Sequence, residues 1–457
     1  MAVSPSRVAA FEILLKVERD KSYASELLHS TALTNLSSAD HGLATEIVMG
    51  VLRWQSFLDR HIAQASSQKL DRLDDEVLIA LRIGLYQLNF LSRVPSRAAI
   101  FESVELVKAA RKKSAAPFVN AILRKLAGGE GGSAALSSAK AGPGEALAAI
   151  RDSRDPAALA RDASHPEWLV KRWVEAYGLE TARQICLHNQ SPPATSIHIH
   201  DDQSLTELVQ AGVELAHGQL LSRARTVVAG DVTKTKPYAG GRIAIQDEAS
   251  QLVALLVGRG ESILDCCAAP GGKTALLARR NPASTVVATE QHPHRARLLR
   301  ALARTLNICV VAADARQMPL LKSFDRILVD VPCSGTGTLA RNPEIKWRLR
   351  GDDLADLQTR QIAILKSALE RLAAGGRLVY STCSLEREEN EAAVEAALAA
   401  RFGFSIADCR EELEYLRQSG ELRADDLDSL LTGKFLRTIP GRYPVDGFFA
   451  AIIERRR

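Results

Sequence analysis

Apolar residues recur with two different periods along this chain, and the switch between them divides it. In residues 1–127 the period is helical: Val77, Leu78, Leu81, Leu85 and Leu88 fall on one face of a 3.6-residue repeat. Similar stripes run through Val8–Val17 and Leu43–Ile62. Ser37, Ser38 and Asp40 are candidate N-caps for the second stripe, and Pro95 is expected to separate two helices. The pattern then lapses. Residues 128–163, with Gly-Gly-Glu-Gly-Gly-Ser, many small residues and Pro143, read as a linker holding at most one short helix. An amphipathic helix resumes over His165–Tyr177. Strand-like runs at Ser196–His200 and Thr226–Val232, with a helical stretch at Leu205–Ala211, predict a small α+β, RRM-like module over 164–241.

From residue 242 to the end the pattern becomes short apolar runs separated by helical segments. Ser262–Asp265, Thr285–Thr289, Cys309–Ala312, Arg326–Asp330 and Arg377–Tyr380 are the runs. Continuous apolar strands alternating with helices predict a doubly wound, mostly parallel α/β sheet covered on both faces. Phe448–Ile453 reads as a late antiparallel strand.

Composition narrows the class. The 457 residues are 46% hydrophobic and 25% charged, ordinary for a globular protein of about three domains. No apolar run reaches the ~18 residues of a membrane span, and the charged N-terminus does not resemble a secretion signal, so a cytosolic protein is expected. The absence of heptads points to a monomer. Seven cysteines without a C-x-x-C pair argue against a disulfide framework or a zinc site, so no metal is expected. Net charge is +5, compatible with a nucleic-acid partner. Two acid-free basic runs stand out: Lys108–Lys125 with six basic residues, and His292–Arg304 with Arg295, Arg297, Arg300 and Arg304. Either would suit phosphate contacts or a plain solvated helix face.

Ligands of such sheets bind beyond the carboxyl ends of the strands. After the first run comes Asp265-Cys-Cys-Ala-Ala-Pro-Gly-Gly-Lys-Thr274, whose small residues admit close backbone approach. After the second comes Glu290, suited to ribose hydroxyls. After the third comes Asp314, suited to an adenine edge. The fourth and fifth lead into Asp330-Val-Pro-Cys-Ser-Gly335 and Ser381-Thr-Cys-Ser384. Nucleoside-binding groups thus precede two thiols on neighbouring strand ends. Residues 267–274 nearly match the phosphate loop of nucleotide triphosphatases, but Cys267 replaces its first glycine, Pro270 intrudes, and the thiols go unexplained. Cys186, Cys266, Cys309 and Cys409 read as small buried hydrophobes and Cys267 as part of the loop; Cys333 and Cys383 sit in turns where a thiol can be exposed and activated.

The motifs Cys267-Ala-Ala-Pro-Gly-Gly-Lys273, Asp330-Val-Pro-Cys-Ser-Gly335 and Ser381-Thr-Cys-Ser384 resemble those of the Nop2/Sun family of RNA cytosine-5 methyltransferases. Asn342-Pro-Glu-Ile-Lys-Trp347 and Asp446-Gly-Phe-Phe449 also resemble family segments, and residues 1–127 resemble the helical NusB-type RNA-binding domain. That pairing is typical of the bacterial RsmB (Sun/Fmu) branch, which acts on 16S rRNA. Two departures are Val331, where alanine is usual, and Glu290, where aspartate is commoner. The resemblance implies a Rossmann-like S-adenosylmethionine-dependent domain. Its cofactor would be held by Cys267, Ala268, Ala269, Pro270, Gly271, Gly272 and Lys273, with Glu290, Asp314 and Asp330. It assigns attack on carbon 6 of cytosine to Cys383, release to Cys333 and the cytosine edge to Asp330. Lys273 would lower a thiol pKa or orient the base. The expected partner is 16S rRNA before subunit assembly. Two other readings remain: a DNA cytosine-5 methyltransferase with Cys333 as nucleophile, and a non-catalytic RNA-binding factor.

Overall fold

The computed structural model describes residues 3–30, 33, 35–128, 142–302, 305–399 and 401–457. The chain forms two compact units: one runs to Pro192 and includes Leu339–Arg348, and the other comprises Pro193–Thr338 and Leu349–Arg457.

The first unit is helical. Its helix Asp75–Phe90 is buried on nearly every side, more than a single stripe predicts. The reason is close approach: at Gly50 a Cβ would lie 1.9 Å from the Tyr86 ring, so only glycine lets helix Ser38–Arg53 pack there. Ser37 caps that helix through Asp40 N, and Pro95 precedes helix Ser96–Ala109. The stripe 43–62 is two helices, broken at Trp54. Of the segment expected to be a linker, 129–141 lie outside the described residues, but 143–162 form helices Pro143–Asp152 and Pro156–Asp162. Each starts with a proline at its first turn and buries an apolar edge (Ala146 and Ile150; Leu159 and Ala160). Helices Glu167–Tyr177 and Leu179–Gln190 complete the unit.

Residues 339–348, expected within the catalytic domain, belong to this helical unit. Lys346 is buried and donates to Arg53 O at 2.8 Å, and the Trp347 indole donates to Leu52 O at 2.7 Å. Arg348 donates to Val17 O and Ser22 O, and Glu344 accepts from Ala24 N. Burial pushes the Lys346 pKa well below its ordinary value.

The second unit holds two sheets. The smaller contains β1 (Thr195–Ile199), β2 (Glu214–His217), β3 (Ala224–Ala229) and β4 (Ile243–Ile245) in the order β2-β3-β1-β4. Helix Asp202–Gln210 covers it. Strand β4, expected on the catalytic side, pairs antiparallel with β1. The larger sheet contains β5 (Ser262–Asp265), β6 (Thr285–Glu290), β7 (Ile308–Ala312), β8 (Phe324–Asp330), β9 (Leu372–Thr382), β10 (Phe404–Ala407), β11 (Leu431–Thr432), β12 (Phe435–Thr438) and β13 (Phe448–Arg455). Its order is β11-β12-β13-β9-β8-β5-β6-β7, with β10 beside β13. Strands β5 to β9 are mutually parallel, while β13 runs antiparallel to β9. In β8, Leu328 joins the hydrophobic cluster on one face while Ile327 and Val329 join that on the other. A strand buried on both faces reads as an unbroken apolar run. Cys309 departs from its expected burial: β7 ends the sheet, and its side chain is exposed. Among the described residues, no helix is long and apolar enough to cross a membrane.

Candidate functional site

Chain order reverses between β5 and β8, so their carboxyl ends, Asp265 and Asp330, flank a topological crevice. Register carries the site further. Asp330 lies opposite Ser381, so the turns after β8 and β9 leave the sheet side by side. They stay together through Val331 N donating to Ser381 O at 3.0 Å and Gly337 N to Cys383 O at 2.9 Å. A Cβ at Gly337 would stand 2.2 Å from Gly447 O, which explains a glycine there and ties in the Asp446–Phe449 segment.

The result is a thiol pair, with Cys333 Sγ and Cys383 Sγ 3.2 Å apart. Contact with Cys383, then burial, pushes the Cys333 thiol well above its ordinary pKa. Beside them Lys273 Nζ donates to Asp330 Oδ2 at 2.8 Å and lies 4.8 Å from the centre of the Phe448 ring. Ser381 Oγ donates to Asp330 Oδ1 at 2.7 Å. Burial would depress the Lys273 pKa, but Asp330, with help from Cys383, raises it instead, so the ammonium is retained.

The loop after β5 enters helix Gly272–Arg280 through Gly271, whose φ is +113° and whose Cβ would lie 2.4 Å from Leu302 Cδ1. A small cavity is lined by Cys267 through Lys273 with Asp265 and Asp330. Asp265 accepts from Thr274 Oγ1 at 2.7 Å through Oδ2, while its buried Oδ1 has no partner. Burial pushes the Asp265 pKa up to about 7, against the pull of Thr274. Glu290, buried at the end of β6, accepts from His292 N at 2.9 Å. Asp314 lies one strand further and does not line the cavity; its carboxylate is closed on Arg316, which holds its pKa down. Arg295 turns inward to Ala269 O at 3.3 Å rather than to solvent, and Arg304 lies outside the described residues. In the other basic run, Lys108 pairs with Glu105 and Lys112 with Asp74.

Three residues escaped the sequence reading. Gln246 and Ser250 line the cavity from just before the first catalytic strand. Glu389 lies fully buried beneath the thiols and accepts from Ser334 N at 2.8 Å, both serine hydroxyls of Ser334 and Ser384, and Gln361 Nε2 at 2.8 Å. Ser334 and Ser384 each follow a cysteine, so one carboxylate anchors both turns.

The model of the 16S rRNA methyltransferase RsmB/F family matches residues 252–454, the NusB family model matches 4–128, and that of the RsmF/B-like ferredoxin-like domain matches 165–227. A probable ribosomal RNA small subunit methyltransferase B of Bacillus subtilis is 33% identical over 98% of each chain. The chain belongs to the RsmB/F methyltransferase family. The ribosomal RNA small subunit methyltransferase B of Pseudomonas syringae pv. tomato is 36% identical, covering 91% of this chain and 90% of its own. A solved methyltransferase homologue from Pyrococcus horikoshii aligns at 25% identity and TM-score 0.54, covering 65% of this chain and 97% of its own. RsmB/F enzymes use S-adenosylmethionine, and this cavity fits that group: a carboxylate oxygen without a donor suits a cationic ligand, and Gly271 and Gly272 keep the wall bare of side chains. The protein is an rRNA small subunit methyltransferase.

Proposed function

We propose that the enzyme methylates carbon 5 of one cytosine of 16S rRNA, with Cys383 as nucleophile and Cys333 as the group that permits release. The observation that carries this is the thiol pair, 3.2 Å apart at the ends of adjacent strands beside the Lys273–Asp330 pair. S-adenosylmethionine supplies an electrophilic methyl group when bound. Carbon 5 of cytosine is a poor nucleophile; a thiolate bonding to carbon 6 places electron density on carbon 5.

The retained Lys273 charge, which feels the Cys383 sulfur, suits an anion beside it, and the raised Cys333 pKa keeps the Cys333 thiol neutral. Asp330, fixed by Lys273 and Ser381, faces the ring nitrogen edge of the cytosine. Once the Cys383 sulfur is bonded to carbon, the leading cause of the high Cys333 pKa is gone; Cys333 then releases its own proton to solvent and, as a thiolate, takes the carbon-5 proton. Loss of that proton restores the 5,6 double bond and expels the Cys383 thiolate. Cys267 to Lys273, with Glu290 on the ribose and Asp314 towards the adenine, would hold the cofactor, Asp314 parting from Arg316 to do so. The substrate is rRNA not yet assembled into subunits, bound by a cytoplasmic monomer whose NusB-like domain contacts RNA. Nucleoside analysis of unmodified 16S rRNA after reaction tests the chemistry. The expected product is 5-methylcytidine at one position; a methyl group on the cytosine exocyclic nitrogen or on a ribose oxygen overturns the proposal.

A further inference from the structure

A second concavity, of about 910 Å³, opens in the same unit where the small sheet meets the larger one. Its walls come from the loops that precede β5, β6 and β7 and from the carboxyl end of helix Gly272–Arg280. It therefore lies at the edge of the parallel sheet opposite the thiols, one nine-residue helix, about 13 Å, from the cofactor loop.

Its charge is lopsided. Four arginines (Arg223, Arg259, Arg279 and Arg280) face one carboxylate, Glu421, which is taken by Arg280. Arg279 donates to Gly241 O at 2.5 Å and has a buried Nε without a partner. Arg223 donates to His200 O at 3.5 Å, and its ion-pair partner Asp202, at 3.4 Å, has a side chain 97% exposed, so the pair is weak. Arg259 is exposed, with no ion pair among the described residues. Arginines at a helix carboxyl end are ordinary for the dipole, but that accounts for Arg279 and Arg280 alone. Two histidines complete the wall. His198 Nδ1 meets Gln251 Oε1 at 2.9 Å and must donate to it, which leaves Nε2 as an acceptor. Burial, then Arg279, pushes the His200 pKa down to about 3, so this ring is neutral as well. Uncompensated guanidinium groups suit phosphates, and neutral imidazole acceptors suit hydroxyls.

We propose that this cleft is a second RNA site, which holds a ribose–phosphate run of the substrate rRNA away from the methylated nucleotide. It positions RNA without reading sequence. The site is independent of which cytosine atom is methylated, and the test reads binding.

The test uses the full-length double variant Arg223→Ala/Arg259→Ala, both exposed and remote from the thiols. Wild type and variant are titrated with an rRNA fragment carrying the target, across a series of salt concentrations. The expected result is roughly tenfold weaker binding near 0.15 M salt, with the slope of log K against log salt shallower by about 1.4, from two lost phosphate contacts to single-stranded RNA. KM for rRNA rises while kcat and S-adenosylmethionine affinity hold. The control Arg456→Ala/Arg457→Ala removes the same charge elsewhere and leaves the slope nearly unchanged. An equal loss in the control, or an unchanged slope in the Arg223→Ala/Arg259→Ala variant, overturns the proposal. So does loss of ATP or inorganic polyphosphate binding with rRNA binding intact, which would make the cleft a site for free phosphates.

Discussion

Glu389 offers the sharpest structural prediction, because its two oxygens face different chemistry. Oε1 accepts from Ser334 N and Gln361 Nε2, which can only donate, whereas Oε2 accepts from two hydroxyls, which can rotate and accept instead. Glu389→Gln can therefore keep every contact, its carbonyl replacing Oε1 and its NH2 donating to Ser334 Oγ and Ser384 Oγ. Glu389→Ala cannot. It orphans Ser334 N, while the two hydroxyls keep each other at 3.0 Å, Ser384 Oγ keeps Thr336 Oγ1 at 3.4 Å and Glu386 N at 3.0 Å, and Gln361 retains Pro332 O at 3.0 Å. At about 1–3 kcal/mol per orphaned buried donor, the loss of the Ser334 N acceptor costs about 1–3 kcal/mol. Because both cysteine turns lose their anchor, sulfur positions should drift, and a displacement near 1 Å lowers turnover on the order of 100-fold. Urea unfolding measures the first quantity and single-turnover methylation the second. Glu389→Gln is expected within about 1 kcal/mol of wild type with most activity retained. If Glu389→Ala matched wild type in both assays, or if Glu389→Gln were as damaged as Glu389→Ala, the anchoring argument would fail.

Two further outcomes follow from the cofactor loop. Asp265, with its pKa raised to about 7, binds a proton in the folded state that the unfolded chain has released. Its protonation contributes stability that is fully present below its unfolded value near 4 and is lost as pH rises through about 7. Urea unfolding from pH 4 to 8 should show this decline in wild type and a flatter profile in Asp265→Asn, and S-adenosylmethionine should bind more tightly as pH rises through 7 in wild type only. At Gly271, alanine meets both a positive φ and Leu302, so Gly271→Ala is expected to weaken S-adenosylmethionine binding at least tenfold by calorimetry, at about 1–3 kcal/mol of backbone strain; equal affinity would show that the loop tolerates a side chain.

What could be read from the chain follows its burial. Strands β5, β6 and β8 are buried on both faces and stand out as apolar runs, and the motifs beyond them are local, so the loop, Asp330 and the two thiols were legible. Residues whose partners are distant in sequence were not. Glu389 sits in Glu386-Arg-Glu-Glu-Asn-Glu391, which reads as a solvated helix start; only the fold inserts it beneath two turns. Gln246 and Ser250 precede the catalytic strands and carry no local signal. Ala-rich helices 143–152 and 156–162 bury little apolar edge each and resemble linker. Lys346 and Trp347 look like an exposed basic turn until Arg53 O and Leu52 O are seen to accept from them.

The central claim is the division of labour between the two sulfurs. Wild type, Cys333→Ala and Cys383→Ala are each incubated with S-adenosylmethionine and unmodified 16S rRNA, then run on a denaturing gel with methyl incorporation measured in parallel. The account predicts a stable protein–RNA adduct in Cys333→Ala, and neither adduct nor methylation in Cys383→Ala. An adduct that persists in Cys383→Ala and vanishes in Cys333→Ala would contradict it and move the nucleophile to Cys333.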